Sequence, residues 1–291
     1  MKRQLTYLFL VMAIIASCAL FLTYHTFGNL EFALSLRLKK LLGFIIVGIA
    51  CSFATISFQT LTQNRLLTPT ILGMDSLYVM LQTLSIFILG THNLASLSSL
   101  GNFFLSIALM MSVSTVLSFS LLKKFKHNLF LFLMIGMILG TFFGNISSFL
   151  QVLLDPNEYD HLQAKLFASF SNVKADHLLI AAIMVGLICL FLWWLAPQLD
   201  ILLLGNDHAI NLGIELKNLQ LMSLLAISAL VGISTALVGP TSFLGFIVAT
   251  ISYQVAKTYR HRTLFLTGSF IAILLLVFGE FLVEHIFSFN T

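Results

Sequence analysis

Nine apolar runs, separated by short polar segments, follow one another along the chain. An α-helix needs about 20 apolar residues to cross the hydrocarbon core of a bilayer. The pattern therefore predicts an all-α, polytopic transmembrane helical bundle that forms a single domain over residues 1–291. The predicted spans lie near residues 5–27, 41–61, 71–90, 99–122, 129–154, 177–196, 220–239, 243–257 and 264–284.

The eighth run is the short one, and it follows Gly239-Pro240. Glycine and proline at membrane depth are tolerated only where neighbouring protein satisfies the freed backbone groups. We therefore expect this run to be half of a broken helix pair, and we expect residues 238–246 to lie inside the bundle.

Residues 197–219 are a polar interruption between two long apolar runs. They contain Leu204-Gly205 and Leu212-Gly213, with Ala209 between the two pairs. Because glycine permits backbone conformations that end a helix, this spacing predicts a short amphipathic helix with a glycine break at each end.

The composition excludes a soluble domain. The chain is 59% hydrophobic and 9% charged, with a mean hydropathy of +1.01, whereas soluble domains are about 25% charged. The spans use most of the 291 residues, so any enzymatic activity must come from another chain. The net charge of +4 is spread out, which indicates charged loops and no nucleic-acid surface.

The basic residues predict the orientation. With a cytoplasmic N-terminus, most of the 15 Lys and Arg residues lie inside, as the positive-inside rule requires, and residues 197–219 are cytoplasmic. The first run is interpreted as an uncleaved helix, because further spans follow it. The outer segments then hold Arg37, Lys39, Lys40, Lys165 and Lys174. The cluster at 37–40 is either an interfacial snorkel at a helix start or a docking site for an acidic partner.

No catalytic or metal-binding pattern is present. The sequence lacks HExxH, CxxC, GxSxG and Walker A motifs, so this chain does not itself hydrolyse ATP. The three cysteines lie in apolar runs, and the eight histidines are interpreted as interfacial or loop residues. Two acids lie at or near membrane depth, where ionisable groups are functional candidates. We expect Asp75 to cap a helix N-terminus, and for Glu280 a functional and a hydrated position stay open.

An ordered set of motifs extends from about Arg37 to Glu284. In chain order they are Arg37-Leu38-Lys39-Lys40, Val47-Gly48-x-Ala50, Gln59, Asn64, Pro69, Leu72-Gly73, Gly136-x3-Gly140, Leu204-Gly205-x3-Ala209-x2-Leu212-Gly213 and Val238-Gly239-Pro240-x2-Phe243-x-Gly245-Phe246-Ile247-Val248. Together they resemble the permease subunits of iron-chelate ABC importers, the family of the vitamin B12 and ferric-siderophore permeases. The last motif is closer to the ferric-catecholate siderophore branch.

The resemblance implies a type II ABC importer permease fold, in which a tenth span is expected beyond the nine visible here. It implies a multi-pass protein of the bacterial cytoplasmic (inner) membrane that pairs with an identical or sister permease. Two cytoplasmic ATPase subunits would bind ATP, an extracytoplasmic substrate-binding protein would deliver a ferric siderophore, and this chain would hold no cofactor.

The resemblance also implies roles for individual residues. The ATPase-coupling positions are Gly205, Asn206, Asp207, His208, Ala209, Leu212 and Gly213. Arg37 and Lys40 fall on the positions that dock the binding protein. The candidates for the translocation path are Gln59, Asp75, Gly239, Pro240 and Phe243.

The sequence departs from the family pattern near its C-terminal end. Ala249-Thr250 replace a Pro-His pair, Glu280 replaces an Asp, and Glu284 replaces an outer Arg. The last change removes a second docking contact, which an asymmetric heterodimer would explain.

We therefore expect a permease subunit of an ATP-driven ferric-siderophore importer that works by alternating access. The alternative is an ion- or proton-coupled secondary transporter that uses Asp75 and Glu280. A third hypothesis is a membrane scaffold that does not transport.

Overall fold

The computed structural model describes residues 2–24, 30–96, 99–125, 129–167, 169–170, 173 and 175–285. These residues fold into eleven α-helices and no strand. The helices are α1 (Lys2–Thr23), α2 (Leu30–Leu61), α3 (Met74–Ser96), α4 (Ser99–Phe125), α5 (Leu129–Val152), α6 (Pro156–Leu166), α7 (Ala175–Leu202), α8 (Asn206–Asn211), α9 (Leu216–Val238), α10 (Leu244–Ala256) and α11 (His261–His285).

Nine of these helices overlap the nine predicted spans. In the described part of the chain, six helices are long and apolar enough to cross a membrane, and three shorter apolar helices cover 7–23, 74–90 and 244–256. The span count is therefore lower than predicted by this criterion. The remaining helices, α6 and α8, are short and lie in the polar segments between spans.

Helices α2 and α9 form the centre of the bundle. About three quarters of the apolar window of each is buried (72%), against 33% or less for the other four long spans. Helix α2 packs against α1, α7, α9, α10 and α11. Small residues permit this close packing, since a Cβ added to Gly48 of α2 would lie 3.2 Å from the Cβ of Ala272 in α11.

The second span begins earlier than the predicted residue 41. Helix α2 starts at Leu30, and its membrane-competent part starts at Leu34. Arg37, Lys39 and Lys40 therefore lie within the helix. Their charged side chains interrupt the apolar pattern, which is why the predicted span begins later, but they do not interrupt the backbone hydrogen bonds.

The seventh helix also runs further than predicted. Helix α7 passes through Pro197 and ends at Leu202, so the connection to the next span is shorter than residues 197–219.

The entry to α3 is not helical. Gly73 has φ +82°, and the chain becomes helical only at Met74. A Cβ on Gly73 would lie 2.6 Å from the Cα of Gly140, near the middle of α5. The Gly136-x3-Gly140 motif thus receives the backbone of residues 72–73, which places a non-helical segment deep within the bundle.

Candidate functional site

A six-residue helix, α8, lies between the two glycines of the polar interruption. Gly205 precedes it with φ +110°, and Gly213 follows it with φ +82°. A side chain would strain both conformations, so glycine at these positions sets both ends of the helix. The Ile214 amide donates a 3.0 Å hydrogen bond to the Ala209 carbonyl, which turns the chain towards α9.

One side of α8 is anchored and the other is free in this chain. Ala209 is fully buried (0% exposed), and α8 packs against α7 and α9. Asp207 and His208 are exposed, as are Ile210 (54%) and Leu212 (61%). Exposed apolar side chains next to polar ones are typical of a surface that contacts another protein.

The second candidate region is the break between α9 and α10. Helix α9 ends at Val238, Gly239 has φ +94°, and α10 begins only after Phe243. Phe243 has φ +65°, a strained conformation for an aromatic residue, and its side chain is 69% exposed. Helix α10 has 13 residues, about 20 Å, and is too short to cross a bilayer.

The break lies beside the non-helical entry to α3. The Ser242 hydroxyl donates a 3.0 Å hydrogen bond to Oδ2 of Asp75. Asp75 is the second residue of α3, so the prediction of an N-cap is wrong: the carboxylate lies in the first turn and binds a distant loop. Its other oxygen, Oδ1, is buried without a hydrogen-bond partner among the described residues.

Asp75 lines a small cavity of about 30 Å³ whose walls are mainly apolar. The lining also includes the hydroxyl-bearing residues Thr55, Thr70, Ser234 and Thr241. A cavity of this size accommodates about one water molecule, which would satisfy the second carboxylate oxygen.

The five path candidates do not form one group. Asp75 lies against the loop that contains Pro240 and Phe243, whereas Gly239 lines a larger cavity of about 250 Å³ between α3, α4, α6 and α9. Gln59 lines neither of these two cavities. Its side-chain amide donates a 2.6 Å hydrogen bond to the Arg65 carbonyl and so shapes the turn after α2.

The basic cluster on α2 has partners within the chain. Lys40 Nζ lies 3.2 Å from Glu280 and 3.9 Å from Glu284, both on α11. Arg37 donates to the carbonyls of Leu22 (3.2 Å) and Tyr24 (2.7 Å). Glu280 is therefore an ion-paired residue, and Glu284 contributes to the same cluster.

One histidine was interpreted wrongly. His261 is fully buried (0% exposed), between Asp200 of α7 and Thr60 of α2. The sequence gives no local signal for its burial, because His261 lies three residues before the apolar run at 264–284 and is followed by Arg262 and Thr263.

Sequence reasoning also missed a polar stripe on α5. Thr141, Asn145 and Ser148 are exposed on a mainly apolar helix, whose other polar residues, Ser147 and Gln151, bond to each other. Their spacing of i, i+4 and i+7 places them on one face. That spacing is visible in the sequence and could have been read as a water-facing or partner-facing side of the span.

Among the described residues, no three His, Cys, Asp or Glu side chains cluster. The candidate site consists of an exposed helix between glycines, a broken-helix region and a group of exposed polar residues on α5.

Comparison with known proteins decides the family. The family described as the FecCD transport family matches residues 4–291. The chain belongs to this family. It is therefore a multi-pass membrane permease subunit of an ABC importer, whose ATPase is a separate chain, and a secondary transporter is not favoured.

Two curated relatives of this FecCD permease are petrobactin permeases. The petrobactin import system permease protein YclO of Bacillus subtilis (strain 168) is 42% identical over 291 residues, covering 100% of this chain and 92% of the relative. The petrobactin import system permease protein FatC of Bacillus anthracis is 35% identical over 251 residues, covering 86% of this chain and 71% of the relative.

A solved structure shows the same fold. A metal-chelate type ABC transporter in an inward-facing conformation superposes with a TM-score of 0.78 at 20% identity, covering 98% of this FecCD permease and 91% of that chain. The expected type II ABC importer permease fold is thus confirmed.

Proposed function

We propose that this permease moves a ferric catecholate-type siderophore of the petrobactin class across the bacterial cytoplasmic membrane. The observation that carries the proposal is the 42% identity to a petrobactin permease over the full length of the chain. Transport proceeds by alternating access, and the chain contributes a path and a lever.

The lever is α8. Two ATPase subunits bind the cytoplasmic side, one against each permease, and contact the exposed residues Asp207, His208, Ile210 and Leu212. Support comes from the exposure of these side chains opposite the buried Ala209. Closure of the ATPases on ATP pushes α8, and the glycine at each end lets α8 change its angle to α7 and α9.

The path lies between two permeases. The exposed side chains of Thr141, Asn145 and Ser148 on α5 support this arrangement, because a polar group such as the Asn145 amide is costly to expose to lipid without a hydrogen-bond partner. Pro240 and Phe243 of the broken-helix loop, together with Asp75, are proposed to contact the path from within each subunit.

The substrate-binding protein docks on the outer ends of α2 and α11. Arg37 and Lys40 remain the proposed contacts, although Lys40 is already paired with two carboxylates of α11. An acidic residue of the binding protein competes with Glu284, the more distant of the two carboxylates around Lys40. Docking at this subunit is therefore weaker than at a permease without these acids, which favours a sister permease as the partner.

The orientation places the N-terminus in the cytoplasm, and α8 on the same side. The distribution of Lys and Arg between the two sides supports this orientation.

Purification with its partner proteins tests the function. We expect the permease to co-purify with an ATPase, and ATP hydrolysis by the complex to rise when ferric petrobactin and the binding protein are added. Apo-petrobactin is the matched control. The scaffold hypothesis would be favoured by two results together. ATP hydrolysis would not change when the ferric siderophore is added, and a strain without the permease would take up iron normally.

A further inference from the structure

A buried polar chain joins three helices next to the coupling helix α8. The hydroxyl of Thr60, on α2, lies 2.7 Å from Nε2 of His261, on α11. On the other side of the ring, Nδ1 lies 2.6 Å from Oδ1 of Asp200, on α7. Thr60 and His261 are both fully buried (0% exposed).

The direction of the hydrogen bond to Asp200 follows from the chemistry of the groups. The Asp200 carboxylate only accepts, so Nδ1 carries the hydrogen. The Thr60 hydroxyl also lies 3.0 Å from the Ile56 carbonyl, so it donates either to Nε2 of a neutral ring or to that carbonyl while it accepts from a charged ring. The backbone amide of His261 donates a second bond, 2.7 Å long, to the same oxygen of Asp200. The first residue of α11 is thus held to the end of α7 by two hydrogen bonds and to α2 by one.

A second connection reaches α8 itself. The side-chain amide of Gln63 donates to Oδ1 of Asn206, the first residue of α8, at 3.2 Å, and lies 3.5 Å from the carbonyl of Leu202 at the end of α7. Gln63 has φ +50°, a conformation that costs a non-glycine residue energy, and it lies in the turn after α2, three residues beyond Thr60. Its side chain is therefore held across the gap between α2 and α8.

From these contacts we infer that Thr60, His261, Asp200 and Gln63 are positioning residues for the coupling step. They carry a displacement of α8 and the end of α7 into α2 and α11, and α2 is one of the two central helices. Without them α8 contacts α7 and α9, and less of its displacement would reach α2 and α11. The inference rests on the proposed function, because it assigns these residues to the ATP-driven motion.

The test measures the number of ATP molecules hydrolysed per ferric petrobactin imported, in vesicles that contain the complete transporter. Thr60→Val removes the hydroxyl and keeps the side-chain shape, whereas Thr60→Ser keeps the hydroxyl. We expect Thr60→Val to raise the ATP cost of each import by roughly fivefold, the equilibrium factor of one intramolecular hydrogen bond. Thr60→Ser restores the wild-type ratio.

Gln63 provides a second test that does not touch the buried core. Gln63→Glu keeps the size of the side chain but removes the amide donor that reaches the carbonyl of Leu202 and Oδ1 of Asn206. We expect the same rise in ATP per import. The matched control is Gln254→Glu, the same change at an exposed position near the end of α10, which leaves the ratio unchanged.

The outcomes separate this inference from the proposed function. If the wild-type complex imports ferric petrobactin with ATP and Thr60→Val and Gln63→Glu keep its ratio, the inference is wrong and the function stands. If the wild type itself does not couple hydrolysis to import, the proposed function fails first. Variants that only lower the amount of folded complex, with an unchanged ratio, show a structural role and also overturn the inference.

Discussion

The hydroxyl of Ser242 donates a 3.0 Å hydrogen bond to the carboxylate of Asp75. The bond joins the first turn of α3, next to its non-helical entry, to the loop before α10. Non-helical backbone at membrane depth is stable only where protein or water satisfies its polar groups. Asp75 therefore serves the architecture of the broken-helix region, and the importer account does not need it to carry an ion.

This role predicts the behaviour of Asp75→Asn. The amide oxygen still accepts from Ser242, so ATP-dependent uptake should stay within about twofold of wild type. Asp75→Ala removes the acceptor and should lower the free energy of unfolding by about 1 kcal/mol. Uptake assays and thermal unfolding of the purified complex measure both. A folded Asp75→Asn protein without any uptake would revive the ion-coupled alternative.

Substitution of Gly213, which follows α8, should uncouple ATP hydrolysis from uptake. Gly213 has φ +82° and no atom within 4 Å of an added Cβ, so Gly213→Val acts through backbone strain alone, about 1–2 kcal/mol. We expect ATP hydrolysis to continue while uptake falls about tenfold. Gly186→Ala is the control, since Gly186 lies within α7 with equally open space around it. Normal uptake by Gly213→Val would mean that the lever lies elsewhere.

The contact between Gly73 and Gly140 predicts a folding defect. A Cβ on Gly73 would lie 2.6 Å from the Cα of Gly140, and backbone atoms yield only if α3 and α5 separate. Gly73→Ala should destabilise the protein by about 2 kcal/mol or more. The amount of folded permease in membranes and its thermal midpoint report this loss. Gly279→Ala is the control, because an added Cβ there has no atom within 4 Å, and it should be as stable as wild type. Equal stability of the Gly73→Ala and Gly279→Ala variants would mean that the backbones at Gly73 and Gly140 are not in close contact.

The ion pair at the outer end predicts an energetic coupling between α2 and α11. The side chains of Lys40 and Glu280 are only 13% and 14% exposed, so removing one partner leaves a poorly solvated charge. A double-mutant cycle with Lys40→Met and Glu280→Gln should give a coupling energy of about 1 kcal/mol or more in unfolding. Additive effects would mean that the two side chains are not paired in the folded protein.

The same cluster predicts an effect on docking. Glu284→Gln frees Lys40 from one carboxylate without changing the side-chain size, and it should tighten binding of the substrate-binding protein about threefold at low salt. Surface-based binding measurements at two salt concentrations check this. Weaker binding after the change would contradict docking through Lys40.

Local sequence signals predicted part of this structure. The Leu-Gly spacing at 204–205 and 212–213 predicted α8, because glycine adopts a positive φ without steric strain whatever its neighbours, and such a residue ends a helix. Gly239-Pro240 predicted the break before α10 for the same reason. Helix α6 could have been predicted, since Asp155-Pro156 is a typical helix start, but its polar composition hid it among the loops.

Contacts between distant residues could not be predicted from one sequence. Asp75 and Ser242 are 167 residues apart, and Lys40 and Glu280 are 240 apart. Nothing in the local pattern distinguishes a buried, paired carboxylate from a helix cap or a hydrated acid. The burial of His261 was missed for the same reason, since its environment is made by α2 and α7.

A measurement of the energy source that drives uptake tests whether this permease works in an ATP-driven importer. The permease, its ATPase and the binding protein are placed in vesicles, ionophores remove all ion gradients, and radioactive ferric petrobactin is followed with ATP or with a non-hydrolysable analogue. We expect uptake to require hydrolysable ATP and the ATPase subunit, and to be unaffected by the ionophores. Uptake that persists without ATP and disappears with the ion gradient would contradict this expectation.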